Sequence, residues 1–131
     1  MAGIASPTFK KRERIVSRKL IEQLFSKGNG FSISAFPLRI VVVETARVAS
    51  DIPVQVMVSV SKRHFKHAVD RNRVKRQVRE AYRHNKQMLT EKVQQEQTLA
   101  IAFIWLADEL HTSETVERSV KKLLGKVGDR L

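Results

Sequence analysis

Four histidines, His64, His67, His84 and His111, are the side chains best suited to move protons near neutral pH, and any acid–base chemistry carried by the protein would start from them. His64 and His67 stand three apart, a spacing open to an acid–base pair or to two ligands of one metal. No third ligand or carboxylate cluster accompanies them, and no Gly-rich phosphate loop or Ser-His-Asp arrangement occurs. Contact with nucleic acid, or entry into a helix, is the plainer role for them. The expectation is that no residue of the chain is catalytic and none holds a metal.

A different chemistry runs from Lys62 to Arg83, where Lys62, Arg63, Lys66, Arg71, Arg73, Lys75, Arg76, Arg79 and Arg83 meet only Asp70 and Glu80 in opposition. At roughly 100° per residue, Val74, Val78, Ala81 and Tyr82 form one apolar stripe of a helix, and Asn72, Lys75, Arg76, Arg79 and Arg83 gather on a neighbouring face. One side docks on a core and the other faces an anion. The planar fork of arginine holds a phosphate through two hydrogen bonds where lysine offers a point charge. Asn72 adds a donor and an acceptor able to reach a ribose hydroxyl or a base edge. A solvated face usually carries Glu-to-Lys partners along the helix, and this one-signed run lacks them, so binding is preferred to mere solubility.

Composition agrees with a polyanionic partner. The chain has 131 residues with 25 Lys and Arg against 13 Asp and Glu, a net charge of +12 and a pI of about 10.6. Nucleic acid leads an anionic membrane surface as the partner. With 42% hydrophobic residues the chain supports one core, so residues 1–131 are expected to form a single domain. There is no cysteine, which excludes disulfides and thiolate chemistry and fits a reducing cytoplasm. The longest apolar run, Leu99 to Ala107, is far short of the ~20 residues of a membrane helix, and the start lacks a signal-peptide stretch.

The elements that must position the basic helix follow from periodicity. Residues 1–12 read as a mobile basic leader and 13–127 as the folded body. Ser17 can cap a first helix carrying Leu20, Ile21, Leu24 and Phe25, with Gly28 as its stop. Ile40 to Val43 reads as a strand, with Pro37 confining earlier pairing to an edge, and Glu44 to Pro53 reads as a turn. Val54, Val56, Val58 and Val60 alternate with polar partners and predict the clearest strand. The basic helix spans Ala68 to about Lys86, and a polar segment from Thr90 to Gln97 leads to a buried strand over Leu99 to Leu106. A last helix is capped by Ser113, with Val116, Val120, Leu123, Leu124 and Val127 on one stripe.

Ser59-Val60-Ser61-Lys62-Arg63, then Ala68-Val69, then Arg71-Asn72-Arg73-Val74-Lys75-Arg76 followed by Arg79-Glu80 resembles the signature of the bacterial ribonuclease P protein family. The Arg-Asn-Arg run and its distance from the Ser-Val-Ser-Lys segment carry the resemblance, which extends more weakly along nearly the whole chain. It implies an α+β fold, a central and mostly antiparallel sheet packed by helices in the order α-β-β(-β)-α-β-α. The crossover is implied to be a left-handed β-α-β unit like that of ribosomal protein S5 domain 2, against the right-handed rule that holds in about 98% of cases. It implies a catalytic RNA as partner, contacted by Lys62, Arg63, Lys66, Arg71, Asn72, Arg73, Lys75, Arg76, Arg79 and Arg83, and precursor tRNA as substrate. The protein would assist endonucleolytic removal of the 5′ leader, with Mg2+ held mainly by the RNA.

The resemblance also implies a leader cleft between the first helix and the sheet, assigned here to Ile21, Phe25, Phe36, Arg39 and Val42. In that cleft the chain departs from the family pattern. Ile21 stands where aromatics are frequent, with Phe25 one turn on, and Val42 occupies a strand position that is commonly Tyr. Phe25 reads equally well as core and as cleft, and Phe36 is a substitute aromatic. Stacking contributes roughly 1–3 kcal/mol per base, so leader binding is expected to lean more on charge here. The rivals are a structural or ribosomal RNA-binding protein and a DNA-binding regulator. The second lacks helix-turn-helix spacing and a dimerising zipper, so no DNA is expected.

Overall fold

A computed structural model of the chain describes residues 13–15, 18–25, 30–46 and 53–131, the side chains of 18–20 and 25 excepted. The expectations for residues 1–12, the Ser17 cap and the Gly28 stop lie outside the described residues. In chain order the elements are α1 (Arg18–Phe25), β1 (Phe31–Ala35), β2 (Leu38–Ala46), β3 (Val54–Ser59), α2 (Ala68–Asn85), α3 (Gln87–Thr90), β4 (Gln97–Trp105) and α4 (Ser113–Asp129).

The four strands form one sheet in the order β1-β2-β4-β3. β1 with β2 and β2 with β4 are antiparallel, and β3 with β4 is parallel. The parallel pair cannot be closed by a hairpin, and α2 and α3 make the crossover. The sheet is therefore mostly antiparallel, as the resemblance implied, and the optional extra strand is present as β1. Its turn into β2 is Phe36-Pro37, with Leu38 paired to Ala35 on the far side.

Alternation along the strands sorts side chains into two layers. On one face Leu38, Ile40 and Val42 of β2, Val54, Val56 and Val58 of β3, and Leu99, Ile101, Phe103 and Trp105 of β4 pack with Val74 and Val78 of α2 and Val116, Val120 and Leu123 of α4. On the other face Val41, Val43, Ala100 and Ala102 meet Leu24 of α1 and Ile15. Large residues at odd positions of β4 fill the thick layer. Ala100 and Ala102 at even ones let the short helix approach closely.

Several boundaries differ from the sequence expectation. β2 continues through Glu44, Thr45 and Ala46, residues read as a turn, because β4 supplies a partner for each one. A short helix, α3, occupies the approach to the polar segment, and Leu89 within it is fully buried. The cap of α4 is Thr112 rather than Ser113: its Oγ1 accepts from the Thr115 N–H at 3.2 Å, the usual reach from a cap to the third residue. At the entry to β1, Gly30 has φ +66, and a Cβ there would strike the Val42 carbonyl oxygen, so the turn requires glycine.

Residues 13–15 run along the outer edge of β3. The Ile15 N–H donates to the Val56 carbonyl at 3.0 Å, Arg14 bridges Val56 in parallel, and Lys86 Nζ meets Glu13 Oε1 at 2.9 Å. This segment covers an edge that would otherwise stand open to another chain. It also ties the C-terminal end of α2, through Lys86, to Glu13.

Candidate nucleic-acid interface

The apolar stripe of α2 sets the direction of its charges. Val74, Val78 and Tyr82 are fully buried and Ala81 nearly so, which turns Asn72, Arg73 and Arg76 outward. Neither Arg73 nor Arg76 is ion-paired among the described residues, and Lys62, Arg63 and Lys66 stand exposed in the loop before the helix. Lys75 and Arg79 are half-buried, and Arg79 lies on the flank near Arg14. Burial, and secondarily the positive charge of Arg14, hold the Arg79 guanidinium below the usual arginine range. The sequence did not single out Arg14, because its neighbourhood with Arg79 arises only from the bridge across β3.

Two arginines of the basic set are used within the protein. Arg71 turns inward, and its Nη1 donates to the carbonyl oxygens of Phe65 at 2.8 Å and Lys66 at 3.1 Å. It pins the loop whose own turn closes through the His64 N–H on the Ser61 carbonyl at 3.0 Å. Phe65, at the end of that loop, is buried with its ring centroid 6.5 Å from that of Trp105. Arg83 pairs with Glu80, its Nε lying 2.9 Å from Oε2, so the expectation that this face lacks internal partners fails at Arg83. The hydrogen bond from Arg83 holds the Glu80 carboxyl below its usual range.

The histidines are dispersed over separate partners. His64 Nδ1 lies 2.7 Å from Asp108 Oδ1, and His84 Nδ1 lies 3.3 Å from Glu117 Oε1. His111 stands edge-on to both Phe36, at 5.7 Å, and Trp105, at 5.5 Å. His67 is exposed at the N-cap of α2 and makes no side-chain cap bond. Among the described residues no three His, Asp or Glu side chains group as a metal site.

The residues assigned to a leader cleft are not all on one surface. Ile21 is half-buried against the α1-side cluster, and Arg39 is exposed in the same alternating set as Val41 and Val43, its Nη2 donating to Ser32 Oγ at 3.1 Å. Val42 is fully buried in the opposite layer with α2 and α4. Positions 39 and 42 differ in parity, and a strand cannot show both on one face. Phe36 lies at the β1–β2 turn with its ring against His111, outside the α1-side cluster. The Phe25 side chain lies outside the described residues. Half-buried Met57 and Ile104 belong to the α1 side instead, and counting parity outward from Arg39 and from the buried valines of β3 would have found them.

A family model described as Ribonuclease P matches residues 9–128. Two proteins called ribonuclease P protein component, from two strains of Porphyromonas gingivalis, are similar to the chain. One is 43% identical over 127 residues, covering 92% of this chain and 88% of the relative. The other is 40% identical over 131 residues, covering 97% and 91%. Among solved structures, a Staphylococcus aureus RNase P protein mutant with defective mRNA degradation activity superposes with a TM-score of 0.67 at 22% identity, over 91% of this chain and 90% of that one. The RNase P protein of Thermotoga maritima gives 0.66 at 20% identity, over 86% and 96%. These two share the fold.

Proposed function

The chain belongs to the ribonuclease P protein family, and from that premise we propose how its surfaces divide the work: the outward face of α2 holds the catalytic RNA, and the α1 side of the sheet receives the 5′ leader of precursor tRNA. As a member of that family it is the RNA-binding protein subunit of an endoribonuclease that processes precursor tRNA, with the chemistry carried by the RNA subunit. The ribosomal alternative gives way to that membership.

The observation that carries the assignment of α2 is the exposed set Asn72, Arg73 and Arg76 above a fully buried Val74–Val78 stripe. A helix locked on one side to its own core offers the other as a rigid row of forks, suited to a phosphate backbone of fixed shape. Lys62, Arg63, Lys66, Lys75 and Arg79 extend the row, Arg14 joins it beside Arg79, and Arg71 serves by holding the loop in place. On the α1 side, Arg39 supplies charge beside the apolar floor of Ile21, Met57 and Ile104. That favours a single strand held more by its backbone than by stacked bases.

The family uses Mg2+ together with its RNA. The described residues offer no cage of acidic or imidazole ligands, so the magnesium is assigned to the RNA, and the protein's share is to orient two RNAs and offset their mutual repulsion. No helix among the described residues is long and apolar enough to cross a membrane, and a cytoplasmic place beside the RNA is the corresponding proposal. The test is a double variant, Arg73→Ala with Arg76→Ala, in salt-titrated filter binding to the catalytic RNA. The thermal melt is expected to stay close to wild type. The salt slope of log K is expected to fall by roughly 1 to 2 units, one phosphate per arginine. Unchanged slope and affinity would make α2 a solvated face.

A further inference from the structure

A second basic row runs along α4, away from every surface used so far. Arg118, Lys122, Lys126 and Arg130 recur at every fourth position, spanning about 18 Å of helix, and none of them is ion-paired among the described residues. The row follows the edge strand β1 from end to end. Near one end Ser119 Oγ donates to the Ala35 carbonyl at 2.6 Å, and at the other the Arg130 guanidinium carbon sits 3.9 Å above the Phe31 ring centroid. Between helix and strand a groove of about 180 Å³ is lined by Ala35, Phe36, Thr115, Arg118, Ser119 and Lys122. Phe36 is 65% exposed at its mouth, and its edge contact with His111 buttresses the ring.

Between this row and α2 lies a depression of mixed charge, in which Glu80, Glu114 and Glu117 stand beside Arg76 and His84. A phosphate backbone crossing from α2 to α4 would leave Arg76 and meet the carboxylates of Glu114 and Glu117 on the way. The α4 row therefore suits a different strand. An open aromatic beside a line of cations is the pattern that takes single-stranded nucleic acid, bases on rings and phosphates on charges. Phe36 lies only three residues before Arg39, and Arg39 bonds Ser32 on the α1 side of the same hairpin. A strand leaving that side around the β1–β2 turn reaches Phe36 first and then Arg118.

We propose that this groove is a second track for the precursor, on which leader nucleotides beyond those in the cleft stack on Phe36 and lay their phosphates along Arg118, Lys122 and Lys126. The inference rests on the assignment of the α1 side to the leader. It makes affinity for substrate depend on leader length.

The test uses the reconstituted holoenzyme and precursor tRNAs whose leaders increase in length, with mature tRNA as reference. In wild type, lengthening the leader past the cleft is expected to tighten binding further. Phe36→Ala is expected to lower that additional gain roughly fivefold or more. The triple variant Arg118→Ala, Lys122→Ala and Lys126→Ala is expected to abolish it, with short-leader precursor, mature tRNA and catalytic RNA bound as before. A triple variant that keeps the long-leader gain overturns the track. So does one that loses affinity for the catalytic RNA or for mature tRNA, since the row would then hold those instead. Arg39→Ala separates the two assignments. If it weakens short-leader binding while the triple variant changes nothing, only the second track fails; if short leaders ignore Arg39→Ala, the cleft assignment has failed as well.

Discussion

The α2 face and the α1 side of the sheet are both assigned to RNA, yet they are built in opposite ways. On α2 one helix supplies both the anchor and the contact: Val74 and Val78 go in, and Arg73 and Arg76 go out. On the α1 side the surface exists only where an eight-residue helix meets alternate residues of several strands. A site carried by one periodic element survives any error about its neighbours. A site shared between elements is lost when a single strand position is given the wrong face.

The largest effect expected from breaking this contrast comes from the anchor of α2. Val74→Asp places a carboxylate in a fully buried position with no partner to receive it, at a cost of about 3 kcal/mol or more. That is a large fraction of a small domain's stability. Circular dichroism should report a broad, early or absent thermal transition, and binding to RNA should be lost along with the fold. A variant that melts like wild type would mean that the stripe does not anchor the helix, and the outward direction of the arginines would lose its basis.

A smaller effect should separate the two faces of β2. Val42→Ala removes buried methyl groups from the thick layer and should cost about 1 to 3 kcal/mol in urea unfolding, with little change in the preference of the holoenzyme for precursor over mature tRNA. Arg39→Ala, three residues away and exposed, should leave the unfolding midpoint nearly unchanged and reduce that preference. The reverse result would place Val42 on the leader after all.

What was legible in the sequence follows the same division. The valines from 54 to 60 and the stripe from Val74 to Tyr82 were placed correctly, because each period is carried within one element and burial acts on it directly. Val42 was not. Its place was taken from the family pattern, although its parity with Ile40 and Leu38 opposes Arg39. Thr45 and Ala46 read as turn because they stand in the polar stretch from Glu44 to Pro53, and pairing with Thr98 and Gln97 of β4 makes them strand. Arg71 and Arg83 look like their neighbours in sequence. One is drawn inward by two loop carbonyls and the other is held by Glu80, partners whose geometry depends on where the loop and the next turn lie.

The smallest effect sharpens the account of α2 itself, through Glu80. Its carboxylate occupies Arg83 by a contact of 2.9 Å between groups that are both solvent-accessible, so the pair contributes only about 0.5 kcal/mol or less to stability. The hydrogen bond from Arg83 depresses the carboxyl pKa in the folded state. The stabilisation is therefore present above the unfolded-state carboxylate pKa and is lost as pH falls through the lower, folded value. Glu80→Gln removes that contribution, so the variant should melt slightly below wild type at neutral pH. The two curves should converge in acid, at a pH below that at which an ordinary glutamate protonates. For RNA the sign is opposite, since the variant releases Arg83 from the Glu80 carboxylate and deletes a negative charge from the basic face. Affinity for the catalytic RNA should rise a few-fold at neutral pH, with the salt slope steeper by up to about 0.9 for one added phosphate contact. If binding weakens instead, Glu80 is orienting Arg83 for the RNA rather than withholding it, and the ion pair belongs to the interface.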